Sequence, residues 1–227
     1  KRHGAVAVGD FREQGILPES LLNYLSLIGS TIIKGKEIQP LETIIKNFSL
    51  DKLGRGGAIF DEAKLRWLNG MYIHGENPEK LLDRLLPFIA RAGYDPTGLD
   101  PKRLLAIVSL VKDNLATLAD ITDYLDIFLA GKSAPDPEGE EILRETDARQ
   151  VLLCLQEALE GLNSEDRAIY AEVIGRVQAA TGFTGRKLLL PIRVALTGRT
   201  KGPELPGIFS LLGKETIASR VKTALDA

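Results

Sequence analysis

The residues best suited to chemistry in this sequence are cations set beside glycines and an aromatic. Arg186, Lys187 and Arg193 fall in "GRKLLLPIRVALTG", and "RTKGPELPGIF" follows with Arg199, Lys201 and Phe209. On a helix, Arg186 and Arg193 share a face, with Lys187 beside that stripe. Cations neutralise phosphates, and an aromatic ring stacks on an unpaired base at about 1–3 kcal/mol per base. The same residues also suit solvated helix cations above a buried Ile208–Phe209 pair, and the pattern alone leaves both readings open. A second cationic group, Lys1-Arg2-His3-Gly4, opens the chain. A glycine there lets backbone approach an anion that the cations neutralise, while a charged terminus is the plainer alternative.

For an autonomous catalyst the inventory is thin. No Ser-His-Asp ordering, pair of metal-spaced histidines or glycine-rich phosphate loop is present. His74 ends a helical pattern and suits capping or exposure. Two histidines and one cysteine disfavour a His/Cys zinc site. Cys154, in "QVLLCLQEAL", reads as a buried structural thiol. A single cysteine excludes an internal disulfide framework and fits a reducing, cytoplasmic setting. No apolar run approaches the ~20 residues of a membrane span, and the start lacks a signal-peptide core.

The net charge of −2 does not exclude a polyanionic partner, because it is unevenly spread. Between Asp136 and Glu160 acids face only Arg144 and Arg149. From Phe183 to Pro203 there is no acid at all.

The elements that must position these groups are helical throughout, and the expected fold class is all-α. Leu17, Leu21, Leu22, Leu25 and Ile28 recur at helical spacing, with Gly29 as a stop. Asp61 suits an N-cap ahead of Leu65, Leu68 and Tyr72. Asn77-Pro78 and Asp100-Pro101 repeat one device, a capping side chain followed by proline at the first helical position. Pro87 is expected to kink or interrupt its helix. In "FDEAKLRWLNGMYI", Trp67, Leu68 and Tyr72 read as core. "LAGKSAPDPEGEE", residues 129–141, marks a junction. Beyond it come a long amphipathic helix, a segment capped by Ser164 and stopped by Gly182, and the terminal "KETIASRVKTAL".

"KRHGA", "FREQGILPESLLNYLSLIG", "FDEAKLRWLNGMYI" and "PIRVALTG…PGIFSLLGKE" together resemble successive motifs of bacterial glutamyl-tRNA synthetases, in the family's order. The resemblance covers almost the whole chain and is to the C-terminal half of the family. It implies a stem-contact region over 1–90 and two helical-bundle anticodon-binding domains over 91–132 and 133–227, with part of 60–90 open to the first of these. Lys1 and Arg2 match the end of the class I signature loop over the ATP phosphates. ATP with magnesium is then the cofactor of the full-length enzyme and not of this chain, which alone is expected not to aminoacylate.

The resemblance further implies anticodon contacts by Arg193, Leu205, Pro206 and Phe209, the last by stacking. Leu205 stands where some members carry threonine. Asn114 falls where many discriminating members carry an arginine that reads the third anticodon base. An amide lacks the cationic fork that favours cytosine over guanine, so tRNA(Gln) is a second candidate partner beside tRNA(Glu). The expected molecule is a monomer binding neither DNA nor membrane. A helical protein-interaction scaffold without RNA function, its acidic 136–160 stretch meeting a basic partner, is the alternative.

Overall fold

The computed structural model describes residues 7–28, 36–54, 57, 59–130, 134–161 and 169–226. Among them twelve α-helices and a few short 3-10 turns are present, and no strand. The helices are α1 (Val8–Glu13), α2 (Pro18–Ile28), α3 (Leu41–Asn47), α4 (Glu62–Gly75), α5 (Pro78–Arg91), α6 (Pro101–Val111), α7 (Thr122–Leu129), α8 (Pro137–Leu143), α9 (Thr146–Glu160), α10 (Tyr170–Thr181), α11 (Gly185–Thr197) and α12 (Leu205–Asp226). The chain folds as two units, one of residues 1–98 and 112–122, the other of 99–111 and 123–227. The expected segment 91–132 is therefore divided between units: α6 and α7 belong to the C-terminal one, where α6 packs against α12.

Capping chemistry sets the helix starts as expected. Asp61 accepts from the Lys64 amide at 3.0 Å, and Asn77 from those of Glu79 and Lys80 at 3.0 and 3.2 Å. Asp100 accepts from Lys102 at 3.0 Å. Gly182 and Gly198 stop α10 and α11 in the left-handed conformation. Gly29 and Ser164 lie outside the described residues. Helix α5 runs through Pro87 without interruption. The carbonyl left without a donor there belongs to Asp83, and both residues lie on the exposed face, where water can satisfy it.

In the first unit, α2 packs on α3 and α4 around Ile16, Leu21, Tyr24, Leu65 and Leu68. A buried amide, Asn69, ties the unit together. Its Oδ1 accepts from the Leu17 amide (2.8 Å) and Ser20 hydroxyl (2.6 Å), and its Nδ2 donates to the carbonyls of Gly15 (3.3 Å) and Ala116 (2.7 Å). Gly15 has φ +80°, and a Cβ there would stand 2.5 Å from the Ala119 nitrogen. The resemblance-bearing stretch "FREQGILPESLLNY" is thus rich in structural roles. The Tyr72 hydroxyl lies 2.8 Å from both Asn23 Oδ1 and the Gln39 carbonyl, which share its one proton. Trp67, expected in the core, is 49% exposed, since the buried stripe of α4 runs through Leu65, Leu68 and Ile73. Lys64 and Arg66 are paired with Glu37 and Asp120.

In the second unit, α9 packs against α10, α11 and α12, α8 against α11, and α6 against α12. Gly207 permits the last contact: a Cβ there would lie 2.3 Å from Leu110 Cδ1. Helix α12 changes direction at Gly213 (φ +76°), so "KETIASRVKTAL" forms its own straight segment. From that segment the buried Arg220 donates to the carbonyls of Leu196 and Ile127 near the ends of α11 and α7. Arg103 donates to Phe128 O at 3.1 Å. Cys154 is half-buried, and burial pushes its thiol pKa up, which suits an inert residue.

Candidate nucleic-acid interface

In the second unit, Arg193 projects from the last turns of α11 toward the loop that follows. Its Nη1 donates to the Pro203 carbonyl at 2.6 Å, which holds the guanidinium in a fixed direction while it stays half-buried. Burial lowers its pKa, and the neighbouring Tyr170 opposes that shift. The arginine still stays charged near neutrality. Thr197 Oγ1 accepts from the Arg199 amide at 3.2 Å, shaping the loop start. Arg199 then turns back over α7, its guanidinium 5.8 Å from the Tyr124 ring centroid and 3.7 Å from Asp123. A Cβ placed on Gly202 would stand 3.8 Å from both Arg193 Nη1 and Tyr124 Cε1, so arginine and tyrosine flank that glycine. Pro206 and Lys201 are exposed beside them.

Phe209 occupies a different place from the one expected. It is wholly buried, with its ring edge-on to Tyr170 at 5.2 Å, and offers no face to a base. The reason is helical geometry: Leu205, Ile208, Phe209 and Leu212 make the inward stripe of α12, and all four are buried. Leu205 therefore offers no side chain to solvent either. Arg186 and Lys187 are exposed at the other end of α11, roughly 10 Å along the axis from Arg193. Lys187 is paired with Asp147 at 2.8 Å and lies over the Phe183 ring, in an open groove that also holds Glu145. They do not join the Arg193 cluster. Asn114 is exposed on the 3-10 turn Lys112–Asn114 of the first unit. Lys1 and Arg2 lie outside the described residues.

Two rings that the sequence did not single out, Tyr124 and Tyr170, are the half-exposed aromatics near Arg193. No short motif marks them, because α7, α10 and the loop after α11 converge only in the folded unit. Among the described residues no cluster of His, Cys, Asp or Glu suits a metal ion, and no helix is long and apolar enough to cross a membrane.

The family described as anticodon binding domain matches residues 80–225. Glutamate–tRNA ligase 2 of Syntrophus aciditrophicus is 46% identical over 100% of this chain and 46% of its own length. Glutamate–tRNA ligase of Alkaliphilus metalliredigens is 38% identical over 98% of this chain and 46% of its own. A crystal structure of a glutamate tRNA ligase from Elizabethkingia meningosepticum, in complex with its amino acid, superposes with a TM-score of 0.77 at 26% identity. That similarity covers 96% of this chain and 42% of that one. The chain thus spans about half the length of the curated relatives it matches. On this match, and on an all-helical unit with an oriented arginine beside half-exposed rings, the chain belongs to the anticodon-binding-domain family and corresponds to the C-terminal half of bacterial glutamate–tRNA ligases.

Proposed function

We propose that this chain is the anticodon-recognition portion of a glutamate–tRNA ligase acting in protein biosynthesis, with tRNA(Glu) as its partner and tRNA(Gln) as a second substrate RNA. The observation that carries the reading is Arg193, a charged fork aimed by the Pro203 carbonyl within a unit of the anticodon-binding family. A guanidinium fixed in this way can bond a base edge in two places without losing much side-chain freedom on binding. Pro206, exposed at the start of α12, gives a rigid apolar edge beside it. Phe209 and Leu205 support this surface from beneath. Arg186 and Lys187 add a weaker, more distant attraction for phosphate, already partly answered by Asp147.

Asn114 is the position proposed to face the third anticodon base, where an amide bonds a base edge without the selectivity of a guanidinium. For the full-length ligase we keep ATP with magnesium as the activating cofactor, and Lys1 and Arg2 as the loop positions beside its phosphates.

The acidic stretch that motivated a scaffold reading is largely engaged within its own unit. Asp136 caps α8 through the Gly139 amide, Asp147 pairs with Lys187, and Glu140 pairs with Arg144. Titration of the chain with glutamyl and glutaminyl tRNAs tests the proposal. Binding that weakens as salt rises, with a log–log slope near 0.7 per single-stranded phosphate contacted, is expected. Arg193→Gln should reduce affinity about tenfold or more. Absence of tRNA binding at low salt would leave the scaffold reading standing.

A further inference from the structure

We infer that Tyr124 and Arg199 form a subsite for one unpaired nucleotide, the tyrosine ring stacking on its base and the guanidinium meeting its phosphate. This rests on the anticodon-recognition reading and adds two residues to it. Burial of Phe209 removes the expected stacking ring, so a base held near Arg193 needs another. Tyr170 is poorly placed for the task, because its ring packs edge-to-face on Phe209. Tyr124 is half-exposed, and its Cε1 lies against Gly202, the same glycine that borders Arg193 Nη1. A base resting on Tyr124 is therefore close to the oriented arginine.

Arg199 fits the second role. Its guanidinium is 5.8 Å from the Tyr124 centroid, within the range of a cation–π contact, and 3.7 Å from Asp123. That pair is loose and solvent-exposed, so a phosphate can replace the carboxylate at little cost. Lys201 is exposed two residues further on. Acidic groups also border the loop: Glu138 accepts from the Thr200 hydroxyl at 3.2 Å, and Glu204 is exposed. The subsite is accordingly suited to one phosphate with its base, rather than to a long polyanionic track. An acidic peptide would engage Arg199 and Lys201 but would have no use for the ring.

The test is fluorescence anisotropy of the 227-residue chain with a labelled anticodon stem-loop of glutamyl tRNA, repeated across a salt series. Tyr124→Phe should bind within about twofold of the unaltered chain. Tyr124→Leu should weaken binding about five- to a hundredfold with the salt slope unchanged, as expected for a lost base stack. Arg199→Gln should weaken binding and lower the slope by roughly 0.7, one phosphate contact. Binding of Tyr124→Leu at full strength, or an unchanged slope for Arg199→Gln, overturns the inference. Photo-crosslinking of the unaltered chain to a 5-iodouridine-substituted loop gives a readout independent of variant folding. The peptide holding Tyr124 should be labelled, and labelling confined to other peptides overturns the inference. Failure of the underlying reading looks different: the unaltered chain would not bind the stem-loop, or Arg193→Gln would have no effect.

Discussion

The Phe209 ring meets the Tyr170 ring edge-on, with centroids 5.2 Å apart and an interplanar angle of 82°. Such pairs contribute about 0.5–1.5 kcal/mol beyond the area they bury, and Phe209 is fully enclosed. Its role is therefore to hold α10 against α12 beneath the surface that carries Arg193. Phe209→Ala is expected to cost about 3–5 kcal/mol of folding stability in urea titration. Phe209→Leu, which keeps most of the apolar volume, should cost about 1–2 kcal/mol and leave anticodon-loop affinity within about twofold. A large loss of affinity in Phe209→Leu at unchanged stability would instead mean that the ring reaches the RNA.

The Asn69 network makes the first unit sensitive to one amide. Removing the side chain strands the Leu17 amide and the Ala116 carbonyl, while the Ser20 hydroxyl keeps the Leu17 carbonyl and the Gly15 carbonyl keeps the Leu118 amide. Asn69→Ala is expected to lower stability by about 2–4 kcal/mol, since each stranded buried group costs about 1–3 and some regain water. Gly15→Ala should also destabilise strongly, because the added carbon meets backbone at 2.5 Å and the φ of +80° disfavours it. Denaturant midpoints of the two variants, measured against the unaltered chain, check both statements.

Helix starts were legible because capping is local: Asp61, Asn77 and Asp100 each act on amides two or three residues away. In the sequence an anticodon role for Arg193 comes only through a resemblance of short motifs, and its bond to the Pro203 carbonyl has no sequence signal. Tyr124 and Tyr170 were not legible, because what makes them notable is proximity between residues more than twenty positions from Arg193. For Phe209 the pattern leaves burial and stacking both open, and the stacking role comes only from the resemblance. An aromatic beside glycine and proline suits a binding loop as well as the inward stripe of a helix, and only the register of α12 decides between them. Trp67 shows the converse, an aromatic at core-like spacing that falls just outside the buried stripe of α4.

Tyr72 gives the first unit an alkaline limit. Burial raises its pKa above the ordinary value of 10.0, with Glu19 adding to the effect, and its one hydroxyl proton is shared between Asn23 and the Gln39 carbonyl. In the unfolded chain the phenol ionises near pH 10, while the folded phenol still holds its proton. The unfolded state then binds fewer protons, so stability falls as pH rises above 10 toward the folded pKa. Urea midpoints measured from pH 8 to 11 should show this decline. Tyr72→Phe should flatten it, while lowering stability near neutrality because the Asn23 and Gln39 oxygens lose the shared hydroxyl proton.

Asn114 offers a gain-of-function prediction. It is exposed on its turn, so substitution there carries a folding cost within about 0.5 kcal/mol. If the position faces the third anticodon base, Asn114→Arg supplies the fork that the amide lacks, and cytosine presents a carbonyl oxygen and ring nitrogen that accept from it. Guanine on its corresponding edge presents a single carbonyl acceptor beside two N–H donors, so the fork finds one partner where cytosine offers two. Asn114→Arg is therefore expected to raise the preference for stem-loops ending in C over those ending in G by about tenfold, some 1.4 kcal/mol. Parallel anisotropy titrations with the two loops read this directly. An equal change for both loops would mean that the new arginine meets a phosphate, and that residue 114 does not set the choice of third base.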